Sequence, residues 1–262
     1  MTSTTLHRSE SAGLSVLEAG KGRPVVLLHG VGLNALAWGG QIDGLSREFR
    51  VIAPDMPGHG QSACLSAPVT LSNYVEAVLP LLEGLSEPAV VAGHSMGALI
   101  ALEIADHSPS SVCAVAALNG VFERAPEAAA AVQARAGSLD GVRNPDPVPT
   151  LGRWFGTQSS PERTACDTWL RAVDPKGYKM AYAAFAFAEG PSRGTLRALA
   201  CPALFATGAR DPNSTPAMSR AMAELAEDGR ALIVEDAAHM MPMTHAAEVT
   251  TALAVLAREV WS

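Results

Sequence analysis

Ala89-Val90-Val91-Ala92-Gly93-His94-Ser95-Met96-Gly97-Ala98-Leu99-Ile100-Ala101-Leu102 carries the reading that decides the fold. The run Ala89–Ala92 is short and wholly apolar, as a strand is when both faces of a sheet are covered. From Ala98 to Ala105 the chain is rich in alanine and leucine, without glycine or proline, which predicts a helix. Only Gly93-x-Ser95-x-Gly97 separates the two. A strand that turns this sharply into a helix has no room for side chains at 93 and 97, and Ser95 is pushed out at the tip. There the helix N-terminus directs backbone N–H groups towards developing negative charge. Those are the requirements of a serine nucleophile.

The same strand-then-helix rhythm extends in both directions. Apolar runs at Pro24–Leu28, Val51–Ala53, Val115–Leu118, Pro202–Ala206 and Ala231–Val234 each run into Gly, Asp, Asn or Glu. Helix-like stretches are expected near 71–84, 96–107, 214–227 and 246–260. Alternation of this kind predicts an α/β architecture: a mostly parallel sheet flanked by helices, with a ligand crevice at the carboxyl ends of its strands. One interval breaks the rhythm. Between about Val121 and Ala200 no comparable strand is visible, although Arg163–Val173 and Gly177–Ala188 look helical. That interval holds Phe122, Trp154, Phe155, Trp169, Tyr178, Tyr182, Phe185 and Phe187, a majority of the aromatic residues in under a third of the chain. The expected division is a core of residues 1–120 and 201–262, with 121–200 as a helical cap inserted between core strands.

Composition narrows the classes. With 262 residues, 48% apolar and 17% charged, the chain can build a real core and is no disordered tail. A net charge of −7 argues against nucleic acid as a partner. No apolar run approaches the ~20 residues of a membrane span, and the start MTSTTLHRSE has no apolar signal-peptide stretch. Cys64, Cys113, Cys166 and Cys201 are far apart without a C-x-x-C pair, so neither a zinc site nor a disulfide scaffold is indicated. A reduced, cytoplasmic setting is expected, with no metal or organic cofactor. Nothing in the sequence sets an oligomeric state.

A serine hydroxyl needs a base, and the base needs a carboxylate. His239 follows the last apolar run and should end over the crevice. His245, at the start of the final helix, is the alternative. Asp211 lies just past Pro202–Ala206 and is the expected acid; Asp236, three residues before His239, is its rival. His29-Gly30-Val31-Gly32 follows the first buried run, and the N–H groups of Val31 and Met96 are expected to form an oxyanion hole.

Together, His29-Gly30, Asp55-Met56-Pro57-Gly58-His59-Gly60-Gln61-Ser62, Gly93–Gly97, Gly208-Ala209-Arg210-Asp211 and Ala238-His239 resemble the α/β-hydrolase superfamily, in order and from residue 14 to 260. The resemblance implies the α/β-hydrolase fold and a serine hydrolase with a Ser95, Asp211, His239 triad; Asp55–Ser62 resembles a structural turn of that superfamily. Leu151-Gly152-Arg153-Trp154-Phe155 and Val173-Asp174-Pro175-Lys176-Gly177-Tyr178 are further similar to 3-oxoadipate enol-lactonases and small esterases. The expected substrate is a small ester, lactone or related carbonyl compound, cleaved through an acyl-enzyme. Hydrolysis of a C–C bond in a meta-cleavage diketone, or of a thioester or amide, is the alternative, and a hydrolase-like ligand receptor is the non-enzymatic one. Gly30, His94, Arg153, Trp154, Phe155, Tyr182 and Phe185 are expected to bind substrate. Arg153 among aromatics could clamp a carboxylate, with Arg171 and Lys179 as weaker candidates, or could pair with Glu189 on the surface.

Overall fold

The computed structural model describes residues 6–66 and 68–261. Residues 1–5, part of the leading stretch read above for a signal peptide, lie outside the described residues. An eight-stranded sheet runs in the order β1-β2-β4-β3-β5-β6-β7-β8. Its strands are β1 (His7–Ser11), β2 (Leu14–Ala19), β3 (Pro24–Leu28), β4 (Arg50–Pro54), β5 (Ala89–His94), β6 (Val112–Leu118), β7 (Ala203–Gly208) and β8 (Gly229–Val234). From β4 to β8 all pairings are parallel, while β1 with β2 and β2 with β4 are antiparallel.

All six expected runs form strands. β1 and β2 escaped the reading because their sequences lack a buried parallel run: His7–Ser11 is exposed throughout, and Leu14–Ala19 interleaves Ser15 and Glu18 with its buried residues. β8 departs from the expectation in another way. It is the sheet edge, with Arg230 and Ala231 exposed, so its run is not covered on both faces.

The chain forms helices α1 (Gly39–Leu45), α2 (Leu71–Glu83), α3 (Met96–His107), α4 (Pro126–Ser138), α5 (Val148–Phe155), α6 (Pro161–Ala172), α7 (Pro175–Phe187), α8 (Arg193–Ala198), α9 (Pro216–Leu225), α10 (Met241–Thr244) and α11 (Ala246–Val260). Alternation along β5 divides the core in two. Val91 packs on one face with Val26 and Leu28 of β3 and with α2, α3 and α9. Val90 and Ala92 point to the other face, against Ile42 and Leu45 of α1 and Val249 and Leu253 of α11. Between β6 and β7 lie α4 to α8, and no strand among the described residues. The turn at Ser95 and the loops after β3, β6, β7 and β8 all emerge at the carboxyl edge of the sheet, where a parallel α/β sheet holds its ligands.

Candidate active site

Ser95 sits between the last residue of β5 and the first of α3 with φ 56° and ψ −115°. A non-glycine residue in that region is strained, and its surroundings must hold it there. They do so through backbone contacts. The Ser95 N–H donates to the Leu118 carbonyl at the end of β6 (2.9 Å). A Cβ at Gly93 would collide with the Gly97 carbonyl, and one at Gly97 with the Leu28 carbonyl of β3. The two glycines therefore let α3 start directly against the sheet. Met96, the first residue of α3, is fully buried, and the N–H groups of a first turn have no acceptor within their own helix.

The loop carrying Gly30 and Val31 lies against Ser95: a Cβ on Gly30 would stand 3.0 Å from the Ser95 Cβ. Two buried histidines set its shape. His29 Nε2 accepts the Met56 N–H (2.9 Å), so its Nδ1 donates to the Gly30 carbonyl (2.8 Å). His59 Nε2 accepts the Gly32 N–H (2.9 Å), so its Nδ1 donates to the Pro57 carbonyl (3.1 Å). Both need a neutral ring, and burial lowers both; His59, beside His29, falls to about 3. Asp55 anchors the far side of this turn. It accepts from the Ala35 and Gln61 N–H groups (2.8 and 2.9 Å) and pairs with Arg8 (2.6 Å). The turn Asp55–Ser62 thus braces the Gly30–Gly32 loop, a role the sequence reading did not assign to His29 or His59.

Across the crevice, His239 Nδ1 donates to Asp211 Oδ2 at 2.7 Å, with both side chains buried. Asn119 Nδ2 donates to the same oxygen (2.9 Å), while the Asn213 and Ser214 N–H groups hold Oδ1 (2.9 and 3.2 Å). Burial alone would raise the Asp211 carboxyl, but His239 and these donors outweigh it and hold it at about 2. An ionised carboxylate fixing Nδ1–H leaves Nε2 as the basic nitrogen of His239. Sequence reading missed Asn119. It stands just after β6 with φ 51°, a conformation asparagine tolerates better than most residues. The rivals are joined elsewhere: His245 Nε2 bonds Asp236 Oδ1 (3.1 Å), with the Asp236 carboxylate on the surface.

Ser95 and His239 open on one cavity of about 430 Å³, which Gly30, Val31, His94, Arg153, Trp154, Tyr182 and Phe185 also line. Trp154 stacks on His239 with ring centroids 5.9 Å apart. Phe155 does not line the cavity. Adjacent residues on a helix point about 100° apart, and with Trp154 inward, Phe155 packs half-buried against the neighbouring core. Arg153 makes no ion pair with Glu189; its Nη2 donates to Thr150 Oγ1 (3.1 Å). Arg171 pairs with Asp167 (2.9 Å) and Lys179 donates to the Asp140 carbonyl (3.4 Å), so neither reaches the cavity. Arg124 and Arg135, which the sequence reading did not single out, do reach it. Among the described residues no cluster of His, Cys, Asp and Glu has metal-binding geometry, and no helix is long and apolar enough to cross a membrane.

A serine at a strained strand-to-helix turn shares its cavity with a buried imidazole held by a carboxylate. The profile of the Alpha/beta hydrolase family matches residues 25–252, and the chain belongs to that family. It is 40% identical to the (E)-2-((N-methylformamido)methylene)succinate hydrolase of Acinetobacter baylyi, over 97% of both chains. Its structure is similar to a thermophilic esterase from Thermogutta terrifontis, with a TM-score of 0.84 and 26% identity, covering 98% of this chain and all of that one. The enol-lactonase of Burkholderia xenovorans shares the fold at a TM-score of 0.83 and 23% identity, over 96% of this chain and 100% of that one.

Proposed function

We propose that this hydrolase cleaves a small ester or lactone through an acyl-enzyme, with Ser95 as nucleophile, His239 as base and Asp211 as its partner. His239 Nε2 takes the Ser95 proton as Oγ attacks the carbonyl carbon. The N–H groups of Val31 and Met96 stabilise the oxyanion. The bond to the leaving oxygen then breaks, and His239 returns the proton to the departing alcohol. Water, deprotonated by the same imidazole, attacks the acyl-enzyme, releases the carboxylic acid and restores Ser95. The observation that carries this reading is the Asp211–His239 pair opening on the same cavity as Ser95. The helices of 121–200 serve as a cap, closing the cavity with Trp154, Tyr182 and Phe185. We place the protein in the cytoplasm, where its four free cysteines stay reduced.

The match to the Acinetobacter baylyi enzyme favours a second reading of the leaving group. In it the same serine attacks the carbonyl of an N-formyl group, and an amine departs in place of an alcohol. A turnover screen of the purified protein separates the two, using p-nitrophenyl esters, small lactones, thioesters, N-formyl enamines and ring-fission diketones. Ester or lactone turnover with an initial burst of one equivalent supports the first reading. Turnover confined to the formamide supports the second. Capture of a ligand without turnover of any compound contradicts both and fits a receptor.

A further inference from the structure

Three guanidinium groups, from Arg124, Arg135 and Arg153, line the cavity beside Ser95, and the lining contains no Asp or Glu. Several arginines outside the cavity pair with acids: Arg8 with Asp55, Arg50 with Glu18 and Arg193 with Glu123. Among the described residues no carboxylate lies within ion-pair reach of the three cavity arginines. Two of them converge on one neutral hydroxyl. Arg135 Nη2 and Arg153 Nη2 both donate to Thr150 Oγ1, at 2.7 and 3.1 Å. Arg135 lies over the Tyr182 ring (5.3 Å), and its buried Nε has no hydrogen-bond partner. Arg124 stacks over Phe185 (4.5 Å) and is fixed by the Ala188 and Phe185 carbonyls (2.9 and 3.3 Å). Bringing like charges together is costly where the side chains are partly withdrawn from solvent, as Arg124 and Arg135 are, unless an anion joins them. A cavity for neutral esters would be lined by apolar groups and would not carry three unpaired cations.

We propose that Arg135 and Arg153, aligned by Thr150, form a carboxylate-binding fork, that Arg124 holds a second carboxylate, and that the substrate is therefore a small dicarboxylate. This rests on the hydrolase reading only in placing the scissile carbonyl at Ser95; the anion site itself stands on the arginines. The planar guanidinium suits this task because two of its N–H groups can face both oxygens of a carboxylate. All three cations come from residues 121–200, whereas Ser95 and His239 come from the sheet edge. The helical segment thus grips the acid groups while the core addresses the carbonyl.

Calorimetric titration of the whole protein tests this with succinate, propionate and dimethyl succinate as probes. Succinate is expected to bind at least about tenfold more tightly than either of the others. Arg135→Gln and Arg153→Gln should each weaken succinate binding by about tenfold or more, the loss of one charged hydrogen-bonding partner. Arg124→Gln should reduce affinity for succinate but barely change that for propionate. Arg135→Lys should recover part of the loss, since charge is kept and the fork is not. Equal binding of succinate and its dimethyl ester by the unaltered protein would overturn the proposal, as would glutamine variants that bind succinate normally. Succinate binding in a protein that hydrolyses nothing would leave the fork standing and remove the hydrolase reading instead.

Discussion

His94 Nε2 donates to the backbone carbonyl of His239 at 2.8 Å, and the two rings lie 5.0 Å apart. The residue before Ser95 therefore holds the loop that carries His239, across a separation of 145 residues. This bond needs the proton on Nε2, and burial, reinforced by the neighbouring His239 ring, keeps the ring neutral by pushing the group down to about 3.

Removing that tie should loosen the register between Ser95 and His239. His94→Ala is expected to lower kcat about 10- to 100-fold with a smaller change in KM, as a misplacement near 1 Å does. His94→Gln, whose amide N–H can reach the same carbonyl, should recover part of the loss. Steady-state kinetics on a small ester checks both, and a KM effect without a kcat effect would make His94 a substrate contact only.

The two Asp–His pairs predict opposite outcomes for one chemical change. Asp211→Asn should lower turnover by ~10⁴-fold, because an amide favours the wrong His239 tautomer. Asp236→Asn should leave turnover within about twofold, since its partner His245 lies away from the cavity. Comparing kcat for the two variants decides the assignment, and the reverse ranking would exchange the roles.

Acid should destabilise the fold well before its carboxylates protonate. His59 and His94 are held at about 3 against an ordinary value of 6.5, and His29 is lowered as well. Between those limits the unfolded chain binds protons that the native protein excludes, so stability rises with pH and falls as pH drops below 6.5. At pH 5 each fully shifted histidine contributes about 2 kcal/mol less than at pH 7. Asp211 acts lower down: held at about 2 from an ordinary 3.8, it withdraws its contribution as pH falls from about 4 towards 2. Urea unfolding at pH 7 and 5 should show a lower midpoint at pH 5. A midpoint unchanged over that interval would contradict the neutral-histidine network.

The parts of this molecule written locally were legible, and those made by distant neighbours were not. Gly93 and Gly97 can be read from sequence because their steric demand falls within one turn, and Asp211 and His239 because each follows an apolar strand. Asn119 needs the adjacency of β6 and β7 before it can face Asp211. His29 and His59 acquire their bracing role only when the turn after β4 folds over the loop after β3. Trp154 and Phe155 look equivalent in sequence, and only the phase of α5 sends one into the cavity. Arg124, Arg135 and Arg153 lie on separate segments, so no spacing in the chain announces that their charges meet.

If Ser95 performs the chemistry, a fluorophosphonate will react with it, and peptide mass spectrometry of the treated protein locates the adduct. The adduct is expected on Ser95 alone, at one equivalent per chain, with ester hydrolysis lost in step with labelling. Ser95→Ala should neither label nor turn over ester while keeping its circular dichroism and urea midpoint. An adduct on another residue, or near-normal hydrolysis by a folded Ser95→Ala protein, would contradict the account.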